Sequence, residues 1–217
     1  MTDLDLDPAP SFGDLGALTP LHLDALREVA NIGAGHAATA LSQMTGRTIM
    51  ISVPTVNIAR MEQLPPQLAG ADEPVAGVLM HILGDLAGRT LLVFPQRTAL
   101  RLTELMLGRP EADLVGFGEL ERSAMMEAGN ILSGAYMNAL SEFLGMILLP
   151  SPPSLELDVA AAVISTACLQ FSTDRDFVFC VESEFVMQDF GERLRGFFLL
   201  MPDATSLRAV LRAIRLA

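Results

Sequence analysis

Apolar residues recur at helical spacing from Leu26 through Val29, Ala30, Ala37 and Leu41 to Met44, so the pattern predicts a long helix with one buried face. Thr19-Pro20 marks its start, a capping hydroxyl followed by the residue whose missing N–H costs nothing in the first turn. Gly46 marks its end. Beyond it, Thr48 to Val53 reads as a short strand stopped by Pro54. Val75 to Leu83 and Thr90 to Phe94 read as a hairpin turning through Gly84-Asp85 and Gly88. Ala99 to Leu107 returns to helical spacing. The same succession then comes again: a helix at about 118–144, strands at about 146–151, 177–187 and 194–201, and a closing helix at about 203–216.

The recurrence is an internal duplication. Laid over Ser123–Pro153 without a gap, Asp24–Pro54 matches at 11 of 31 positions, an offset of 99 residues. The identities include Glu28/Glu127, Asn31/Asn130, Gly35/Gly134, Ser42/Ser141 and Pro54/Pro153. With a small gap, Gly88-Arg-Thr-Leu-Leu-Val-Phe-Pro95 echoes Gly196-Phe-Phe-Leu-Leu-Met-Pro202, and Thr98/Thr205 opens each closing helix. Hairpin strands with helices around them imply an α+β fold. Each repeat supplies only about three strands by this reading, so the expected architecture is one shared, largely antiparallel sheet with pseudo-twofold symmetry. The domain boundaries follow: an acidic, flexible leader at 1–18, then one domain at 19–217 made of repeats at about 19–108 and 117–217.

Composition narrows the function. With 26 acidic and 14 basic residues, the 217-residue chain carries a formal charge of −12, which argues against nucleic acid as a partner. All the basic residues are Arg, so a lysine nucleophile or Schiff base is excluded. Cys168 and Cys180 are too few for a disulfide framework or a four-ligand zinc site and read as buried thiols. Mean hydropathy is high at +0.41, yet the uncharged, mainly apolar run at roughly Val159 to Ser172 falls short of the ~20 residues that a membrane span needs. Met1 to Asp14 has no basic or apolar region of a signal peptide, so a cytoplasmic protein without membrane insertion is expected.

The candidate chemistry lies on the polar side of the two long helices. Asp24, Glu28, Asn31, Gly35 and Ser42 fall on one stripe of the first, and Ser123, Glu127, Asn130, Gly134 and Ser141 repeat it on the second. Neighbours drift: Arg27 is matched by Met126 and Gln43 by Glu142. Asn also disfavours a helix interior by several tenths of a kcal/mol relative to Ala. Either the stripe is functional or it serves structure, for example through an Asn–Asn contact across the pseudo-dyad.

The pattern Asp/Ser-x3-Glu-x2-Asn-x22-Pro, as Asp24, Glu28, Asn31, Pro54 and again as Ser123, Glu127, Asn130, Pro153, resembles the signature of the CheC family of chemotaxis phosphatases. The resemblance covers about residues 20–217. It implies that the substrate is the phosphorylated response regulator CheY and that Asn31 and Asn130 position a water in line with its aspartyl phosphate. It also implies that Glu28 and Glu127 pair with a lysine of the regulator. No cofactor of its own is implied, since the receiver partner supplies the magnesium. Gly35 and Gly134, one turn on, would let a partner backbone approach closely. The residues suit this chemistry, because an acyl phosphate is already reactive and a helper need only position water and dock.

Other features carry less. Gly33-x-Gly35-x-x-Ala38 has the spacing of a dinucleotide fingerprint but lies inside a helix. His22, His36 and His81 are isolated, and Glu182 and Glu184 alternate with apolar neighbours as on a strand with one wet face. Leu157 to Cys168 predicts an apolar helix, with Asp158 as its N-cap. That helix is either core or a docking face, with Val159 and Val163 as contacts, for the receptor deamidase CheD, which the family resemblance offers as partner. The alternative function is a non-catalytic flagellar-switch or adaptor protein that binds CheY or CheD, because FliM and FliY share the fold. FliM-type domains lack the paired motif, and FliY-type proteins carry a further C-terminal domain not expected after a closing helix that runs out at Ala217.

Overall fold

The structure is a computed structural model describing residues 20–60, 70, 72–109, 117–168, 177–187 and 191–216. The first repeat contains α1 (Pro20–Thr45), β1 (Ile49–Ile51), β2 (Thr55–Arg60), β3 (Pro74–Gly84), β4 (Gly88–Pro95) and α2 (Gln96–Leu107). The second contains α3 (Glu119–Leu144), β5 (Leu148–Pro150), β6 (Ser154–Val159), α4 (Ala160–Cys168), β7 (Phe177–Met187), β8 (Glu192–Pro202) and α5 (Ala204–Leu216). Pro20 does open α1, while its expected cap, Thr19, and the leader at 1–18 lie outside the described residues. Gly46 and Gly145 end the long helices at φ +62° and +64°, a left-handed conformation that a side chain would strain.

The repeats do not build separate sheets. All eight strands form one antiparallel sheet in the order β1-β7-β8-β4-β3-β5, with β2 beside β1 on β7 and β6 beside β5 on β3. Each repeat therefore lends its first two strands to the other's hairpin, and β4 pairs with β8 at the centre. The exchange is matched in register. Ile49 faces Met187 and Leu148 faces Gly84, and the next rung is Ser52 N to Glu184 O at 2.9 Å in one half and Ser151 N to His81 O at 2.9 Å in the other. The closing helices cross over as well. Thr98 Oγ1 donates to Arg195 O at 2.9 Å, and Ser206 Oγ accepts from Ala87 N at 2.7 Å. Thr98 and Ser206 are both buried while Thr205 is exposed, so Ser206 rather than Thr205 holds the position of Thr98.

Two expectations are corrected. Each repeat has four strands among the described residues, not about three, because β2 and β6 follow Pro54 and Pro153. Asp158 is not a helix cap: it sits in β6 opposite Val75, and α4 begins at Ala160, whose N–H is taken by Glu73 O at 3.0 Å.

The four helices α1, α2, α3 and α5 cover one face of the sheet, and α4 lies on the other. The larger core fills the space between the helical layer and the sheet, with Leu41, Val78, Phe94, Leu132 and Phe198 among its members. A second core lies under α4, where Val163 and Ile164 meet Leu91, Val93, Phe197 and Leu199. Buried Arg89 fastens this arrangement by donating to Ala167 O at 3.1 Å, near the C-terminal end of α4, where a cation suits the helix dipole. Val163 is only 2% exposed and packs on Gly77, so the docking role expected for it is corrected to a core role; Val159 is half-buried at the end of β6. No helix among the described residues is long and apolar enough to cross a membrane.

Two glycines set how the long helices sit. A Cβ on Gly33 would lie 2.7 Å from Tyr136 Cδ1 and 3.1 Å from its Cα, so α1 and α3 approach closely only because Gly33 has none. A Cβ on Gly129 would collide with Val78, whose own Cβ is 2.8 Å away. Gly33→Ala and Gly129→Ala are each expected to lose about 1–3 kcal/mol of unfolding free energy in urea titrations, although Ala is the better helix former. Val163→Asp is expected to cost more than about 3 kcal/mol by the same measurement, as an unpaired charge placed in a core.

Candidate functional site

The polar stripe divides into two parts with different jobs. Toward the helix ends, Ser42 and Ser141 are half-buried and serve structure. The Ser42 hydroxyl accepts the Ile49 N–H at 3.0 Å and shares its proton between Ala38 O at 2.7 Å and Ile49 O at 3.0 Å. Ser141 Oγ donates to Met146 O, two residues before Leu148, the position that matches Ile49. Both serines thus pin a long helix to the segment that follows it, which explains why both repeats hold them. Pro54 is buried and Pro153 half-buried; each stands between the two short strands and supplies no reactive group. Lacking an N–H, each interrupts the ladder and separates β1 from β2 or β5 from β6.

Toward the middle of the helices the side chains face solvent. Glu28 and Asn31 on α1, and Glu127 and Asn130 on α3, are all exposed, and none hydrogen-bonds another described residue. The Asn–Asn contact across the pseudo-dyad is therefore not formed. Each Glu precedes its Asn by three residues, about 4.5 Å along the axis, so both polar ends project from one face. The opposite faces are held in the main core by Leu26, Val29 and Ala30 on α1 and by Met125, Ala128 and Leu132 on α3. Burial of those residues and the close approach at Gly33 and Gly129 give the exposed pairs a fixed platform.

Gly35 is exposed and Gly134 half-buried, and a Cβ at either would meet nothing within 4 Å. Internal packing thus gives no reason for a glycine there, although glycine in a helix interior costs about 1 kcal/mol relative to Ala. The two repeats share that cost one turn beyond each Asn. Open space beyond the helix is the property both positions keep.

Asp24 and Ser123, the first motif positions, are exposed but differ in chemistry. Asp24 accepts from Arg27 Nη1 at 2.7 Å, and both side chains remain more than half exposed, at 64% and 56%. Reading Arg27 as drift in the sequence missed this pair. The signal was present: Asp24 becomes Ser123 and Arg27 becomes Met126, so acid and base are exchanged together at a spacing of three.

Other reactive groups are sequestered. Cys180 is buried, and burial together with the nearby Glu182 carboxylate pushes its thiol up to about 12, so it stays protonated and unreactive. Burial also raises Tyr136 to about 12, against the opposing effect of a 2.7 Å hydrogen bond with Ser183 Oγ. Its ring stacks on Phe198 with centroids 4.8 Å apart, a packing role. Glu182 and Glu184 form the wet face of β7 and pair with Arg195 and Arg193 across the hairpin. Among the described residues no group of three or more His, Cys, Asp and Glu stands close enough to hold a metal ion.

Comparison with known proteins points the same way. A family model described as the CheC-like family matches residues 21–58 and 120–157, two segments separated by the same 99 positions as the internal repeat. They correspond to α1-β1-β2 and α3-β5-β6 up to the last residues of each second strand, and each contains one Glu/Asn pair. The CheY-P phosphatase CheC of Bacillus subtilis is 34% identical over 194 residues, covering 88% of this chain and 93% of that protein. The X-ray structure of Thermotoga maritima FliY superposes with a TM-score of 0.72 at 27% identity, over 92% of this chain and 98% of that one. The FliM middle domain of H. pylori, at 13% identity and a TM-score of 0.67 over 90% of this chain and 99% of that one, shares the fold. Doubled motif, shared architecture and identity over nearly the whole length together establish that the chain belongs to the CheC-like family.

Proposed function

We propose that this protein hydrolyses the aspartyl phosphate of a CheY-type response regulator in chemotaxis signalling, using two sites, Glu28/Asn31 and Glu127/Asn130. The observation that carries the reading is the pair of exposed Glu/Asn sets, bonded to no other described residue and repeated at identical spacing on two rigidly backed helices. The 34% identity to a CheY-P phosphatase supports it. In the proposed step, the oxygen of one water forms a bond to phosphorus as the bond from phosphorus to the aspartyl oxygen breaks. The electron pair leaves on the regenerated carboxylate, and the water's proton departs with the released phosphate.

Each Asn amide can both accept from and donate to the attacking water, and it adds no negative charge beside the phosphoryl group. Each Glu docks the receiver through a lysine, a partner that this lysine-free chain cannot offer itself. Magnesium belongs to the receiver in this scheme, and no residue here is assigned to it. Catalysis is mainly positioning, which matches a site built from solvent-facing side chains on a stiff support.

Asn31→Ala combined with Asn130→Ala is expected to return phosphate release from a phosphorylated CheY-type receiver to the receiver's own rate. An undiminished rate in that double variant, with the fold intact by circular dichroism, would disprove the assignment. Binding of the receiver without any acceleration by the unsubstituted protein would favour the adaptor reading instead. Gly35→Ala with Gly134→Ala is expected to raise the unfolding free energy by up to about 1 kcal/mol per site while slowing phosphate release, because a methyl group fits the free protein and obstructs the partner.

A further inference from the structure

We propose that Arg27 is the phosphate-contacting residue of the first site, held ready by Asp24, and that it makes the first site faster than the second. The proposal rests on the phosphatase reading above and deepens it. Arg27 stands four residues before Asn31, one turn away on the same exposed side of α1, so the two side chains are neighbours along the helix. Its guanidinium rests on Asp24, one turn toward the N-terminus, and would reach what Asn31 faces by swinging the long arginine side chain along the exposed side. The pair with Asp24, at 2.7 Å, restricts the arginine to the solvent side of the helix. Exposed pairs of this kind are weak, so the guanidinium can leave the carboxylate for a stronger acceptor.

A phosphoryl group in transfer is that acceptor. As the water–phosphorus bond forms and the acyl bond to phosphorus breaks, negative charge spreads over the three equatorial oxygens. A guanidinium offers two parallel N–H donors to such oxygens and cannot lose its proton, so it stabilises charge without entering the proton balance. Until that contact forms, Asp24 keeps Arg27 on the exposed side of the helix. It also keeps the pair neutral, so Glu28 still presents a single net negative charge to the receiver.

The second repeat supplies the contrast. Met126 holds the place of Arg27 and packs against the main core, and Ser123 holds the place of Asp24. The basic residue of α3 before Asn130, Arg122, lies two turns away and donates to Leu155 O at 3.2 Å. A decorative surface pair could lose one partner and keep the other. Here acid and base are present together or replaced together, as expected if the acid exists to hold the base.

The test isolates each site in turn, measuring phosphate release from a CheY-type receiver phosphorylated by acetyl phosphate in magnesium. In the Asn130→Ala protein, where only the first site works, Arg27→Gln should lower kcat by roughly ten- to a hundredfold and change KM for the receiver little. Arg27→Lys should recover part of that loss, and thermal unfolding should be nearly unchanged. In the Asn31→Ala protein, Ser123→Asp with Met126→Arg should raise kcat of the second site. A kcat in Arg27→Gln within twofold of its parent, or a loss confined to KM, overturns the assignment of Arg27 while leaving the phosphatase reading standing. No acceleration by the unsubstituted protein overturns both.

Discussion

Reciprocal strand exchange is the constraint on which the rest of the structure depends. Neither hairpin has its outer neighbours until the other repeat arrives: β7 needs β1 and β2, and β3 needs β5 and β6. The large core forms only when both long helices lie on the completed sheet. Folding is therefore expected to be cooperative across the whole domain, and the two candidate sites share one rigid slab. Their spacing is set by close packing, at Gly33 against Tyr136 and at Gly129 against Val78, rather than by any bond between the site residues.

That division of labour suits the proposed chemistry. Exposed Glu and Asn side chains on a helix contribute almost nothing to stability, so they can be tuned for a partner without penalty to the fold. All the anchoring is done one helical face away, by residues such as Leu26, Val29, Met125 and Leu132. Duplication then allows divergence. One copy can carry an exposed arginine four residues before its Asn and the other a half-buried methionine there, with the platform unchanged.

Much of this was legible in the chain because the duplication reads the sequence twice. The long helices and the β3–β4 and β7–β8 hairpins carry strong periodicity or turn signals, and they lie within a few residues of expectation. The strands β2 and β6 did not show, since each is short, follows a proline and owes its pairing to a hairpin in the other repeat. Asp158 looked like a cap because the helix after it is apolar and alanine-rich, but β3 claims that residue for the sheet. At the site, repetition singled out Glu28, Asn31 and their counterparts, yet it swept Ser42 and Ser141 into the same stripe. Only the hydrogen bonds separate the two roles. The expected leader at 1–18 falls outside the described residues.

The tie from Ser42 to Ile49 has a further effect. A strand at the rim of a sheet ordinarily displays open donors and acceptors that can recruit a foreign strand, the first step of many aggregates. By taking the N–H of Ile49 and lying within reach of its C=O, one serine hydroxyl occupies a rung that an intruder would need. The rim strand is three residues long, so a single side chain blocks a large share of it. A serine that first drew notice as part of the polar stripe thus blocks part of the rim to a foreign strand, in a chain in which half the residues are hydrophobic.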